Sequence, residues 1–133
     1  VITRYLDDFA GSNLYPRAKI YDILTLEALA DGIMESAVSI TYESKLRPQN
    51  EQSPSWMEAQ WSKVLHAIKA LDDGKFKAIN GEMNMGQIAV ACALGYLDFR
   101  HDARQWRNGY SNLASWNDEM MKLPALIKTI PTD

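Results

Sequence analysis

From Arg17 to Leu46, the residues Ile23, Leu26, Ala30, Ile33, Ala37 and Ile40 recur in steps of three and four, the repeat that lines up side chains along one face of an α-helix. An unbroken apolar seam of this length predicts a single long helix whose stripe must be buried by other elements. The rest of the chain offers only helices for that purpose. Val1, Ile2, Tyr5, Leu6 and Phe9 mark an opening amphipathic helix, stopped by Gly11 at the head of the linker AGSNLYP. Ser53 and Pro54 are placed as N-cap and first residue of the next helix, with Ser55 and Glu58 as a competing capping box. Its seam is Met57, Trp61, Val64, Ile68 and Leu71.

Asn84 and Gln87 have the spacing of a reciprocal cap, and the residues from Ile88 to Phe99 are apolar nearly all round. That pattern predicts a central helix covered on every side. After the irregular HDARQWRNGY, Leu113, Trp116, Met120 and Leu123 mark one more amphipathic helix, and Pro124 opens a last short turn. No convincing alternating strand occurs. The predicted fold is therefore all-α, a helical bundle with a long, kinked first bundle helix and a buried central one.

Composition narrows the function classes. With 133 residues, the chain is one domain's worth and can bury roughly 65 to 70 % of its unfolded surface without a disulfide staple. Its longest apolar run, IAVACAL, falls far short of the ~20 residues of a bilayer span, so a membrane protein is not expected. Fourteen basic against 17 acidic residues give a net charge of -3, with no basic cluster to neutralise phosphates, which argues against nucleic acid. The single cysteine, Cys92, excludes an intrachain disulfide and a cysteine-based zinc site and fits a reducing, cytoplasmic setting.

Candidate chemistry is sparse. Cys92, inside AVACAL, has no local base or cation to lower its pKa and reads as a packed, inert thiol. His66 and His101 form no metal-binding pair; His66 reads as partly exposed and His101, in a loop beside Arg100, as solvated. Trp56, Trp61, Trp106 and Trp116 read as core or core edge. The long helix has a second face as well. Leu24, Glu27, Asp31, Glu35, Val38, Tyr42 and Lys45 fall together roughly 120° from the apolar seam at 100° per residue. That face is either a solvated surface, or one that looks into a cleft or subunit interface where carboxylates meet a ligand's ammonium group.

Four stretches, VITRYLDDFAGSNLYP, ALADGIMESAV, NMGQIAVACALGYLDFR and LASWNDEMMKLPALIKTIP, stand in the order and spacing of the cytosolic glutathione transferases. The chain resembles the helical C-terminal domain of a bacterial member. The resemblance implies that residues 1–16 correspond to the last helix and linker of a thioredoxin-like domain, and residues 17–133 to the helical domain. In this family the thioredoxin-like domain supplies the glutathione site and the catalytic Ser, Cys or Tyr, so no residue here inherits a catalytic role. The segment ADGIMES is similar to the family stretch NDGVEDL, whose second acidic residue reaches from the neighbouring subunit to the γ-glutamyl amine of glutathione. That match implies Glu35, helped by Asp31, for glutathione. It puts Val38, Thr41, Tyr42 and Lys45 beside an apolar electrophile. A homodimer and glutathione as substrate follow from the same resemblance. Where the family caps its central helix with Ser/Thr-x-x-Asp, this chain has Asn84-Met85-Gly86-Gln87. A second reading is a non-catalytic interaction module of the same fold, which the sequence ahead of Val1 would distinguish.

Overall fold

A computed structural model describes residues 1–132. Six α-helices follow in chain order: α1 (Ile2–Ala10), α2 (Ile20–Leu46), α3 (Pro54–Asp72), α4 (Met85–Arg100), α5 (Ser111–Met120) and α6 (Pro124–Ile127), with no strand among the described residues. Single 3-10 turns precede α2, α3 and α4 and follow α4.

The long helix is uninterrupted, starting at Ile20 after a 3-10 turn and ending at Arg47, which is extended ahead of Pro48. All six seam residues are buried. The stripe packs chiefly on α4 and then on α3, whose Trp61, Val64, Ile68 and Leu71 are buried opposite it. Proline starts α3 as expected. Ser53 is its N-cap residue but makes no side-chain cap bond, and Glu58 pairs with Arg104 instead of closing a box.

The start of α4 is built from two neutral amides. The Gln87 backbone N–H donates to Asn84 Oδ1 at 3.2 Å, and Gln87 Oε1 accepts from the Asn84 backbone N–H at 3.2 Å. Both amide nitrogens remain free to donate outward, Asn84 to Ala78 O at 2.8 Å and Gln87 to Ile79 O at 3.0 Å. These bonds tie the preceding turn to the helix. A Ser and a carboxylate in the same places could close the box but would lack these N–H donors, so the departure from the family pattern has a structural use. Behind the cap, α2 and α4 come so close that a Cβ on Gly86 would lie 2.9 Å from Leu26 Cβ and 3.1 Å from Ile23 O.

Two expectations for α4 and its exit are corrected. Cys92 is exposed, so the helix is not covered on every side. Its outer face, with Met85, Ile88 and Phe99 half-buried around Cys92, is apolar and open. The apolar surroundings of the thiol push it up from its ordinary 9.0, but the thiol is not packed as expected. His101 is buried, not solvated. Of the tryptophans, Trp61 and Trp106 are core and Trp116 is half-buried, whereas Trp56 is exposed.

The opening helix is turned inside out. Its apolar Ile2, Tyr5, Leu6 and Phe9, with Val1 at the N-cap, are all exposed, while Asp7 is buried and Thr3 half-buried against the body of the chain. Asp7 accepts from Ser12 Oγ at 2.5 Å and from the backbone N–H groups of Leu14 at 2.9 Å and Tyr15 at 3.3 Å. The Ser12 bond, followed by that from Leu14, holds the Asp7 carboxyl below its ordinary 3.8. Gly11, at φ 63°, provides the left-handed turn that lets the chain double back to these donors.

Candidate functional site

The second face of α2 divides when the neighbouring helices are in place. Glu27 is fully engaged: Tyr15 Oη donates to its two oxygens at 2.7 and 2.9 Å, and Thr3 Oγ1 donates at 3.1 Å. Burial, reinforced by the Glu27 carboxylate, pushes the Tyr15 phenol up to about 12. This carboxylate therefore ties α1 and the linker to α2. Asp31 and Glu35, one and two turns further on, are exposed and bond to no described residue.

Glu35 lines a groove of about 550 Å³ between α2 and α3, walled by Ser36 and Ser39 on one side and by Trp56, Gln60 and Lys63 on the other. A second groove of about 640 Å³ shares Ser39 and Trp56 with it and extends past Tyr42. Exposed Trp56 is thus part of a cleft wall. Asp31 and Lys45 line neither groove and are exposed, and Val38 is half-buried.

Thr41 turns the other way, toward α4. Its Oγ1 accepts from Tyr96 Oη at 3.1 Å, donates to Ala37 O at 3.2 Å, and lies 3.1 Å from His101 Nε2. The same Nε2 is 2.9 Å from Ala37 O. A carbonyl can only accept, so Nε2 carries the proton and the neutral ring has its second nitrogen, Nδ1, unprotonated. The ring sits 5.8 Å from Trp61 and 6.0 Å from Tyr96. Burial, together with the nearby Arg104 charge, holds His101 below its ordinary 6.5.

The six residues expected at the site are thus distributed over one helix but not gathered in one pocket. Glu35 and Tyr42 belong to the α2–α3 groove and Thr41 to the α2–α4 contact. Reasoning from the sequence missed His101 and Tyr96. Nothing local marks them, because their partners on α2 are more than 50 residues away, the separation being 64 for His101 and Ala37.

Comparison with known proteins adds what geometry alone does not. The family model for the C-terminal domain of glutathione S-transferase matches residues 54–118. A glutathione transferase family member from Pseudomonas fluorescens Pf-5, crystallised with bound S-(propanoic acid)-glutathione, superposes with a TM-score of 0.95 at 38% identity, covering 100% of this chain and 70% of that one. The chain belongs to the glutathione transferase family. A glutathione S-transferase from Methylobacillus flagellatus KT with glutathione bound is similar to this chain at 33% identity and a TM-score of 0.91, covering 99% of this chain and 68% of its own. The uncharacterized GST-like protein YibF of Escherichia coli K12 is 31% identical over 110 residues, covering 80% of this chain. The chain spans about half, 53%, of the length of that curated relative. The all-helical fold and its place in the family agree with the reading of the sequence. Among the described residues, no helix is long and apolar enough to cross a membrane.

Proposed function

We propose that this chain is the helical part of a glutathione transferase that joins glutathione to an apolar electrophile. Residues 1–16 are then the last helix and linker of a thioredoxin-like domain, and residues 17–133 the helical domain. The observation that carries this reading is the inverted α1. Its large apolar side chains Ile2, Tyr5, Leu6 and Phe9, and Val1 at its N-cap, are 53% exposed or more, while its polar Thr3 and Asp7 face the rest of the chain. A helix amphipathic in this sense is suited to an apolar layer laid over it from outside. The open apolar side of α4 supports the same conclusion.

In this reading Glu35, with Asp31 one turn earlier, receives the γ-glutamyl ammonium of glutathione from the neighbouring subunit of a cytoplasmic homodimer. Both carboxylates are free to do so, whereas Glu27 is not. Val38, Thr41, Tyr42 and Lys45 flank the electrophile. The helical domain contributes orientation, holding the apolar substrate where a thiolate can attack it, and none of its residues is assigned a catalytic role.

The test uses the full-length protein. Glu35→Gln is expected to weaken glutathione binding, measured by calorimetry, by on the order of 1 kcal/mol, the scale of one charge-assisted hydrogen bond at a partly exposed site. Unchanged affinity would remove Glu35 from the site. If the wild-type protein fails to conjugate glutathione to chlorodinitrobenzene, the transferase reading gives way to a non-catalytic interaction module.

A further inference from the structure

The buried node around His101 has no part in the reading above, yet it is the most heavily cross-linked polar group of the α2–α4 contact. His101 terminates α4, donates Nε2–H to the Ala37 carbonyl of α2, and lies against the Thr41 hydroxyl, which Tyr96 of α4 holds from the other side. Its ring packs near Trp61 of α3. One side chain therefore sets the position of three helices at the level where α2 carries Val38, Thr41 and Tyr42.

We propose that His101 is a positioning residue for the electrophile pocket, fixing Thr41 and the Tyr96 hydroxyl in one hydrogen-bonded arrangement so that the α4-facing edge of α2 presents a constant wall to the apolar substrate. The proposal rests on the assignment of α2 to that pocket. The Ala37 carbonyl and Thr41 hydroxyl are the groups that α2 presents to the ring, and neither titrates. From α4 comes the Tyr96 phenol. The turn after α4 contributes Arg104, whose guanidinium lies 4.8 Å over Trp61 and pairs with Glu58 of α3 at 2.8 Å. Among the described residues, no carboxylate bonds to the imidazole to compensate a second proton on it. A protonated ring would be a buried cation beside Arg104, so the node is built around neutral histidine.

Three variants of the full-length enzyme test this. His101→Leu removes the donor, His101→Gln keeps an N–H that does not titrate, and Tyr96→Phe deletes only the bond to Thr41. With glutathione saturating and chlorodinitrobenzene varied, His101→Leu is expected to raise the KM for the electrophile about three- to tenfold, the range of one or two lost hydrogen bonds, with the KM for glutathione unchanged. Tyr96→Phe should shift the same constant in the same direction. In the wild type the same constant should rise at acid pH, where the ring is protonated, and His101→Gln should restore it and show no such rise. An unchanged electrophile KM in His101→Leu, or equal rises for both substrates, overturns the proposal. Should His101→Leu fail to fold, Tyr96→Phe and the pH profile of His101→Gln decide, and wild-type behaviour in both also overturns it. A wild-type enzyme that binds glutathione but conjugates no electrophile removes the pocket assignment itself, and this proposal with it, a failure distinguishable from loss of the His101 effect alone.

Discussion

At the scale of single residues, the side chains that matter most are polar groups drawn inside. Asp7 and His101 stand in sequence among ordinary surface residues, yet both are buried and each hydrogen-bonds across separate segments of the chain. His101 has a consequence for stability as well as for the pocket. Its pKa is lower in the folded chain than the ordinary 6.5, so below that value the unfolded state takes up the proton first, and protonation favours unfolding. No penalty exists above 6.5, and the loss grows as pH falls from there through the depressed folded value. The melting temperature of the wild-type chain is expected to fall between pH 7 and pH 5 by more than that of His101→Gln, by a margin corresponding to at most about 1.4 kcal/mol for each pH unit of difference between the unfolded and folded pKa. Parallel melting curves across that range would show that the histidine carries no linkage.

Helices are legible where they are periodic and misjudged where they are uniformly apolar. The α2 seam and the Asn84–Gln87 cap follow from spacing alone, and each is found in place. In α4, apolar residues on all sides predict burial, but spacing cannot say whether this chain supplies a covering surface, and Cys92 is exposed. The glycines of α4 illustrate the same distinction. Gly86 and Gly95 look alike in sequence, but a methyl group on Gly86 would meet Leu26 and the Ile23 carbonyl, whereas one on Gly95 would meet nothing within 4 Å. In urea unfolding of this chain, Gly86→Ala is expected to cost about 1–3 kcal/mol through overpacking, while Gly95→Ala should gain about 0.5–1 kcal/mol from reduced unfolded-state freedom. Equal effects would mean that α2 and α4 do not approach as closely as described.

For the molecule as a whole, the exposed stripe of α1 is the property with the widest consequences. Replacing Ile2, Leu6 and Phe9 by glutamine removes little burial in this chain, so each change should alter its stability by no more than about 0.5 kcal/mol. Self-association in sedimentation should decrease at the same time. In the full-length protein, if a second domain covers the stripe, the same three substitutions should destabilise by several kcal/mol, since each fully buried side chain contributes about 1.5–3 kcal/mol. A large loss of stability in the chain alone would show that the stripe is already packed.

By itself the sequence determined that this protein is a bundle of helices, where the main ones run, which seam of α2 is buried and how α4 begins. Those properties depend on repeats and hydrogen bonds spanning a few residues. Only the tertiary structure decided that the α2 face splits into an α3 side holding Glu35 and Tyr42 and an α4 side holding Thr41. It also decided that His101 is a buried donor and that Gly86 sits at a close approach of two helices. The α4 contacts join residues some 60 positions apart and the grooves set α2 against the separate helix α3, and no local pattern records which distant backbone will arrive opposite a given side chain.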